Sequence, residues 1–240
     1  MKAISAAELA GHFNLWLLAG CLPSRLRLGQ TVLLPKCVEA GDPAKYRPIT
    51  MSDIVVRCFH RILAQRMEIH LPFSTHQKAF HAADGIADSV WVIQAVIKHH
   101  QDNLRPLNVA FVDVKKAFDY VSHQSILVAA ARLGVPPPFL GYIRELYSNG
   151  VTALRIGPDI SGPISLGRGV RQGDPLSVHL FNAVIDMCLA GLDPSLGCKV
   201  GDLRVNHGAF ADDIALFAAT PRGLQALASE LESRLVWLAY

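Results

Sequence analysis

The chain has 240 residues, of which 51% are hydrophobic and 18% are charged, and its formal net charge is +3 at pH 7. The apolar content excludes a disordered or fibrous protein, and the length fits one globular or lobed domain. The mean hydropathy of +0.28 predicts apolar surface that is either buried or kept for a partner. The small net charge decides nothing about nucleic-acid binding.

The apolar stretches of the sequence are too short for a membrane span. The longest one without proline, charge or polar groups runs from Leu15 to Leu22, against the roughly 18 residues that a span needs. Lys2 precedes an apolar region, as in a signal peptide, but Glu8 and Asn14 interrupt it. The five cysteines are odd in number and form no CxxC pair, which favours reduced thiols and gives no zinc pattern.

The N-terminal half is predicted to alternate helices with a short strand. An amphipathic helix over residues 6–19 precedes a β-branched strand over 31–34 and a loop rich in glycine and proline. Asp53 is predicted to cap the next helix, and a later helix shows the same apolar spacing. The loop residues and the two apolar helix faces are Gly41, Pro43 and Pro48; Ile54, Cys58 and Ile62; and Ile86, Val90, Ile93 and Ile97.

The C-terminal half is predicted to build a sheet with acids at its turns. A buried strand over residues 108–112 ends at Asp113. The further predicted elements are a helix from Ser122 to Gly134, a hairpin over 151–169, a helix over 176–190, strands over 203–205 and 209–217, and a helix that Thr220 caps and Pro221 starts. This order predicts an α+β fold with an antiparallel sheet covered on one side by helices.

The acids Asp113, Asp212 and Asp213 form the central chemical pattern. A carboxylate among apolar side chains is costly unless it is paired or binds a metal. No Lys or Arg flanks the adjacent acids Asp212 and Asp213. Magnesium takes one or two carboxylates and fills its other positions with water and phosphate, so two ions here would clamp a displacement at phosphorus. From the residues alone, a hairpin turn with surface acids, and Asp113 as a helix cap or surface acid, stay open as alternatives.

Six segments of the chain carry recognisable patterns in a fixed order. They are TVLLPK at 31–36, YRPIT at 46–50, QKAF at 77–80, FVDVKKAFD at 111–119, GVRQGDPL at 169–176 and FADD at 210–213. Together they resemble the fingers and palm of a reverse transcriptase of a non-LTR retrotransposon. The FADD form and the AFDYVSH segment favour elements that insert into ribosomal RNA genes.

This resemblance implies a right-hand polymerase fold with an antiparallel palm sheet packed against helices. All of 1–240 would be one reverse transcriptase domain fragment, in which about 1–107 are mainly fingers with an N-terminal extension and about 108–240 are mainly palm. The thumb of the family is expected to be absent, as are the N-terminal DNA-binding fingers and the C-terminal endonuclease of the intact element.

The resemblance also implies roles for individual residues. Asp113 and Asp212 would ligate two Mg²⁺ ions, for which Mn²⁺ can substitute, with the Val114 carbonyl assisting and Asp213 as a less direct third acid. Each further substrate-binding residue matches one family position. Arg47 and, more weakly, Lys36 would contact the triphosphate, Phe118 would gate the sugar 2′-hydroxyl, Gln172 would contact the nucleotide sugar, Gly173 would permit close backbone approach, and Ala211 would face the primer end.

The implied function is RNA-directed DNA polymerase activity, in which a primer 3′-hydroxyl attacks the α-phosphate of a dNTP along an RNA template. The expected partners are therefore RNA template, DNA primer, dNTP and the rest of the element polyprotein, with no membrane. The expected location is nuclear or cytoplasmic, and nuclear for target-primed insertion. Three alternatives stay open: a maturase-type reverse transcriptase of a group II intron or retroelement, a non-catalytic RNA-binding scaffold of the same fold, and an unrelated two-carboxylate phosphohydrolase.

Overall fold

The computed structural model describes residues 5–37, 42, 45–80 and 84–238. The chain divides into two compact units, and each unit combines two separate stretches of sequence. The first unit contains Met1–Leu71 and Ala130–His179, and the second contains Pro72–Ala129 and Leu180–Tyr240. The predicted boundary between fingers and palm is a functional division that these units do not test.

Groups of helices and groups of strands follow one another along the chain. In chain order the helices are α1 (Ala6–Ala19), α2 (Ser24–Arg27), α3 (Ile54–His70), α4 (Gly85–Asp102), α5 (Ala117–Tyr120), α6 (His123–Leu133), α7 (Pro137–Ser148), α8 (Pro175–Leu189) and α9 (Pro221–Leu238), with a 3₁₀ turn at Pro194–Leu196. In chain order the strands are β1 (Leu28–Pro35), β2 (Tyr46–Met51), β3 (Asn108–Asp113), β4 (Val151–Ile156), β5 (Asp159–Ile160), β6 (Ile164–Ser165), β7 (Cys198–Val200), β8 (Leu203–Val205), β9 (His207–Phe210) and β10 (Asp213–Ala218). The predicted α+β class is confirmed.

The first unit contains a mixed sheet in the order β2-β1-β4-β5, with β6 also paired to β4. Strand β1 runs antiparallel to β2 and parallel to β4. Pro48, predicted to lie in a loop, lies in β2 opposite Leu33. An edge strand tolerates proline at a position whose N–H would point away from the neighbouring strand, because the missing N–H then costs no bond of the sheet. Gly41 and Pro43 of the predicted loop lie outside the described residues.

Three buried threonines join the strands of this sheet. The Thr31 hydroxyl lies 2.8 Å from the Thr50 hydroxyl and 2.7 Å from the Thr152 hydroxyl. Thr152 also donates to the Gly29 carbonyl at 3.1 Å. Since buried hydroxyls need partners, this chain of bonds satisfies all three side chains inside the sheet.

The second unit contains an antiparallel sheet in the order β3-β10-β9 and a separate β7-β8 pair. Every residue of β10 from Ile214 to Ala218 is buried. Because successive residues of a strand face opposite sides, β10 is covered on both faces. The sequence analysis had predicted a sheet that is covered on one side only. Strand β3 is an edge strand, and Phe111 on it is 73% exposed, so the prediction of a buried strand was wrong.

The predicted helix caps are confirmed, but neither predicted apolar helix face is buried as expected: on α4, Ile86 is 65% and Val90 is 48% exposed. The Asp53 side chain accepts from the Val55 N–H at 2.9 Å, and the Thr220 hydroxyl accepts from the Gly223 N–H at 3.0 Å. On α3, however, Ile54 is 77% exposed. The buried residues of α3 are instead Val56, Phe59, His60, Leu63, Ala64 and Met67.

Helix α7 has no counterpart among the predicted elements. The three consecutive prolines at its start, Pro136 to Pro138, suggest a break, yet Pro137 occupies the first helical position. Proline is well tolerated there because the first N–H groups of a helix have no partner within it. Across the part of the chain that the structure describes, no helix has the length and apolar content of a membrane span, and the five cysteines are free.

Candidate active site

Two of the predicted catalytic acids face each other across the sheet of the second unit. Asp113 ends β3, and it pairs in register with Asp213, which begins β10. Residues opposite each other in antiparallel strands point to the same face, with Cβ atoms roughly 4.5–5.5 Å apart. Both side chains are exposed, so the two carboxylates share one accessible face at one end of the sheet.

The third acid lies in the turn between β9 and β10. Phe210 pairs with Asp213, which leaves Ala211 and Asp212 as a two-residue turn. The Asp212 carbonyl accepts a 3.3 Å hydrogen bond from the Val114 N–H, which ties the turn to the residue after β3. The structure therefore brings the sequence positions of all three predicted acids to the same end of the sheet.

The turn contains a strained residue. Ala211 has φ of +54°, in the left-handed region. That conformation costs a residue with a Cβ about 1–2 kcal/mol. Such strain persists where the surroundings hold it, and it concentrates at functional sites.

The donor set suits a hard cation that keeps part of its water shell. Asp113 and Asp213 offer carboxylate oxygens, and the Val114 carbonyl spends one lone pair on the Ala117 N–H at 3.1 Å and keeps the other. Among the described residues, no group of three or more His, Cys, Asp or Glu side chains is arranged to hold a metal. Magnesium fits such a site, because it takes one or two carboxylates and completes its shell with water and substrate phosphate.

A cavity of about 490 Å³ opens beside these acids. Apolar side chains from α4 and the sheet line most of it, among them Ile93 and Phe111. Asp113, Asp213 and Lys78 also lie in its wall. The volume is within the range of about 300–1,000 Å³ that small-molecule sites occupy, and apolar walls with a few placed polar groups are typical of them.

Two histidines in the cavity wall are held neutral. The rings of His76 and His207 lie 4.9 Å apart in an edge-to-face arrangement. Burial, and to a lesser extent the neighbouring His76, lower the pKa of His207 to about 4. Burial and the Lys78 ammonium lower the pKa of His76. Neither imidazole therefore contributes positive charge against the acids near neutral pH.

Phe118 lies on the one-turn helix α5, which follows β3. Its ring stacks on the buried Phe181 ring at 4.1 Å, and the Phe80 ring meets it edge-on at 6.4 Å. The side chain is half-buried. Phe118 is thus anchored on one face while part of it stays accessible, an arrangement that suits a steric gate but does not test that prediction.

The predicted triphosphate contacts lie together in the first unit. Arg47 on β2 pairs in register with Leu34, and the Lys36 N–H donates to the Lys45 carbonyl at 2.8 Å. Both cationic side chains are exposed. They therefore lie at the same end of the β1-β2 pair.

The Gln172-Gly173 turn docks on the same strand. The Thr50 N–H donates to the Gln172 carbonyl at 2.8 Å. Gly173 has φ of +96°, and a Cβ on it would lie 3.0 Å from the Ile49 side chain. Only glycine meets both demands without strain. The first unit thus brings Gln172 and Gly173 to the strand that carries Arg47.

The sequence analysis missed a buried polar network beside this turn. The Asp174 carboxylate lies 2.5 Å from His60 Nδ1, and His60 Nε2 lies 2.6 Å from the Tyr142 hydroxyl. Burial pulls the pKa of Asp174 upward, but the charge and hydrogen bond of His60 and the Leu176 N–H hold it below its usual value. The ionised carboxylate only accepts, so Nδ1 carries the hydrogen. No local pattern reveals this network, because its members come from three distant segments.

Comparison with known proteins identifies the family. A family profile described as reverse transcriptase (RNA-dependent DNA polymerase) matches residues 35–239. The chain is 41% identical over 223 residues to the Pol polyprotein of retrotransposable element R2 from Nasonia vitripennis, covering 93% of this chain and 22% of that protein. It is also 41% identical over 214 residues to the R2DM polyprotein of Drosophila melanogaster, covering 89% and 20%. The chain thus spans about a fifth of the length of these relatives.

The fold comparison agrees. The apo telomerase of Candida tropicalis truncated from its C-terminal domain matches with a TM-score of 0.63 at 12% identity, over 97% of this chain and 52% of that one. At this identity the match shows the fold alone. The resemblance to non-LTR retrotransposon enzymes is confirmed, and the chain belongs to the reverse transcriptase family of RNA-dependent DNA polymerases.

Proposed function

We propose that this chain supplies the fingers and palm of a retrotransposon RNA-directed DNA polymerase, which extends a primer 3′-hydroxyl with dNTPs along an RNA template. The observation that carries the proposal is the register of the second sheet. It pairs Asp113 with Asp213, puts Asp212 in the adjoining turn, and opens this end onto a 490 Å³ cavity.

In this proposal the acids of the second unit hold the catalytic cations. Asp113 and Asp212 act as ligands, with the free lone pair of the Val114 carbonyl assisting and Asp213 as the less direct acid. Bound Mg²⁺, with Mn²⁺ as a substitute, would neutralise triphosphate charge and make the primer hydroxyl a better nucleophile. Phe118, stacked on Phe181, presents a fixed edge that excludes a sugar 2′-hydroxyl and so selects dNTPs.

The first unit supplies the groups that bind and orient the nucleotide. The exposed guanidinium of Arg47 offers a planar set of donors suited to phosphate oxygens, and Lys36 adds a point charge. Gln172 contacts the sugar, and Gly173 keeps the backbone close to it because no side chain intervenes. These roles follow from positions that match the family.

The proposed partners are RNA template, DNA primer and the remainder of an element polyprotein. The 41% identity to R2 polyproteins favours this reading over a maturase-type enzyme. We place the work of the protein in the nucleus, because insertion primed by a chromosomal target takes place there. A fluorescent fusion that stays outside the nucleus during insertion would contradict that placement.

Primer extension tests the function. The protein, expressed with its complete reading frame, is given an RNA template, a DNA primer, dNTPs and Mg²⁺. We expect metal-dependent synthesis that Asp212→Ala abolishes, while template affinity measured by fluorescence anisotropy is unchanged.

The other readings make different forecasts in the same experiment. A scaffold binds RNA equally in both proteins and synthesises nothing. A phosphohydrolase releases phosphate from nucleotides without primer. Either result, or full synthesis by the Asp212→Ala protein, overturns the proposal.

A further inference from the structure

Gln77 is a buried amide that contacts both sides of the turn residue before Asp212. The residue is 1% exposed. Its Oε1 accepts from the Ala211 N–H at 2.8 Å, and its Nε2 donates to the Ala211 carbonyl at 3.4 Å. One side chain therefore binds both backbone polar groups of Ala211.

The surroundings fix which way this amide points. The Ala79 N–H also donates to Oε1, at 3.1 Å. Two N–H donors thus face the oxygen and one carbonyl faces the nitrogen. A flipped amide would set donor against donor, so the network specifies a single orientation.

The backbone that carries Gln77 is itself anchored. Ala209 of β9 exchanges two 2.9 Å backbone hydrogen bonds with the segment 76–78. The Asn182 side chain of α8 donates to the Ala79 carbonyl at 2.8 Å. At the start of α4, a Cβ on Gly85 would lie 1.9 Å from a carbonyl oxygen of the segment, so the glycine is required for this close packing. The amide is therefore presented from a rigid support.

Ala211 depends on such a support. Its φ of +54° is unfavourable for alanine, and its methyl group offers no hydrogen bond of its own. Asp212 follows directly, so rotation of the Ala211 backbone would swing Asp212 away from the end of β3. The geometry of the turn is thus set from outside the turn.

We propose that Gln77 is a positioning residue for nucleotide addition, holding Ala211 in its left-handed conformation and so fixing Asp212 relative to Asp113. The inference rests on the polymerase function proposed above. Gln77 contacts backbone and not the reacting atoms, so it acts through the turn. Four hydrogen bonds of Gln77 and Ala79 hold the clamp together.

Amide hydrogen exchange tests the clamp without any catalysis. In Gln77→Leu the Ala211 N–H loses its acceptor, and we expect its exchange to accelerate by about tenfold or more. Gln77→Glu keeps an acceptor and is expected to retain most of the protection. The matched control is Asn108→Leu, which removes an amide-to-carbonyl bond to Ala218 at the other end of the same sheet.

Steady-state primer extension tests the consequence for catalysis. Misplacing a catalytic group by about 1 Å can cost roughly a hundredfold, so we expect kcat of Gln77→Leu to fall about 10–100-fold with template affinity unchanged. Adding Ala211→Gly to that variant should recover about threefold, because glycine reaches the left-handed conformation without a Cβ penalty. Asn108→Leu should leave kcat near that of the parent.

The two proposals fail in different ways. If the parent protein synthesises nothing but Gln77→Leu still loses Ala211 protection, the clamp stands and the polymerase function falls. Unchanged protection or unchanged kcat in Gln77→Leu overturns the clamp. Should that variant not fold, Gln77→Met decides, because it keeps the length of the side chain without its amide; unchanged Ala211 exchange and unchanged kcat in Gln77→Met contradict the proposal.

Discussion

Two turns, one in each unit, carry aspartates in opposite environments. At Gly173-Asp174 the left-handed residue is glycine, and the acid is buried against His60. At Ala211-Asp212 the left-handed residue is alanine, and the conformation is held by a neutral amide from outside. Asp213, which follows, stays exposed. The first turn buries its acid against a partner, whereas the second is followed by an acid that is exposed to solvent.

The surroundings of an aspartate decide whether its carboxylate stabilises the fold or can bind a ligand, even when the residue lies in a segment typical of the family. Asp174 has a partner for its charge, so its carboxylate is spent on the fold. Asp113 faces Asp213 across the ladder, and like charges so placed repel unless a cation joins them. Asp186 on α8 is a third case, a buried acid whose Oδ1 has no hydrogen-bond partner among the described residues.

The largest effect is expected for the exposed acid Asp113. Asp113→Asn should reduce primer extension by about a thousandfold or more, roughly 4 kcal/mol of transition-state stabilisation. The free energy of unfolding should change by about 0.5 kcal/mol or less, because the side chain is exposed. Turnover and urea unfolding measure the two effects. A large loss of stability with little loss of turnover would reverse the assignment.

Asp174→Ala tests the buried end. It leaves His60 without its anionic partner, and breaking such a buried pair costs about 3–5 kcal/mol of stability. Urea unfolding followed by circular dichroism measures the loss. Asp53→Ala in the same unit is the control, since it removes only a helix cap worth about 1 kcal/mol. Equal losses in the two variants would show that the Asp174 pair contributes nothing beyond a local bond.

For Asp186 we expect stability to depend on pH with the opposite sign to that of Asp174. Burial raises the pKa of Asp186 from 3.8 to about 6, with the Ser74 N–H opposing the shift. The folded state thus binds this proton more tightly than the unfolded state, so the stability it contributes is full below the unfolded pKa and is lost as pH rises through about 6.

Asp186→Asn should therefore gain stability in alkaline but not in acidic solution. The shift sets an upper bound of about 3 kcal/mol on the gain near pH 8, and the gain should vanish near pH 4. The amide keeps an acceptor for the Ser74 N–H. Unfolding measured across this range checks the slope, and a gain independent of pH would show that packing and not ionisation is responsible.

The smallest effects are expected when the left-handed residues of the two turns are exchanged, glycine for alanine and alanine for glycine. Gly173→Ala should lose about 1–3 kcal/mol, because its φ is left-handed and a Cβ would press on Ile49. Ala211→Gly should change stability by about 1 kcal/mol or less, since relief of strain is offset by chain entropy. Melting temperatures compare the two, and equal changes would mean that the external clamp does not distinguish them.

Local patterns in the sequence predicted much of this architecture. Asp113 at a strand tip, Asp212 and Asp213 at a hairpin turn, and Asp53 and Thr220 as caps all follow from neighbours within a few residues. These features depend on short-range sterics and hydrogen bonding, which a single sequence displays.

Features set by distant segments were not predictable in this way. Pro48 lies in a strand because β2 is an edge, and α3 buries His60 instead of Ile54 because Asp174 and Tyr142 reach it from far along the chain. The parallel pairing of β1 with β4 is likewise non-local. The role of Gln77 is hidden for the same reason, since its partner lies 134 residues away.

The threonine ladder of the first sheet has a direction. The Thr152 hydroxyl spends its one hydrogen on the Gly29 carbonyl, so Thr31 must donate to Thr152, and Thr50 in turn must donate to Thr31. The three rotors are therefore locked in sequence, and a slip of any strand by one residue would carry its hydroxyl to the opposite face of the sheet and interrupt the relay. The three hydroxyls thus favour one register of the strands through directional hydrogen bonds, which an apolar contact of the same size could not do.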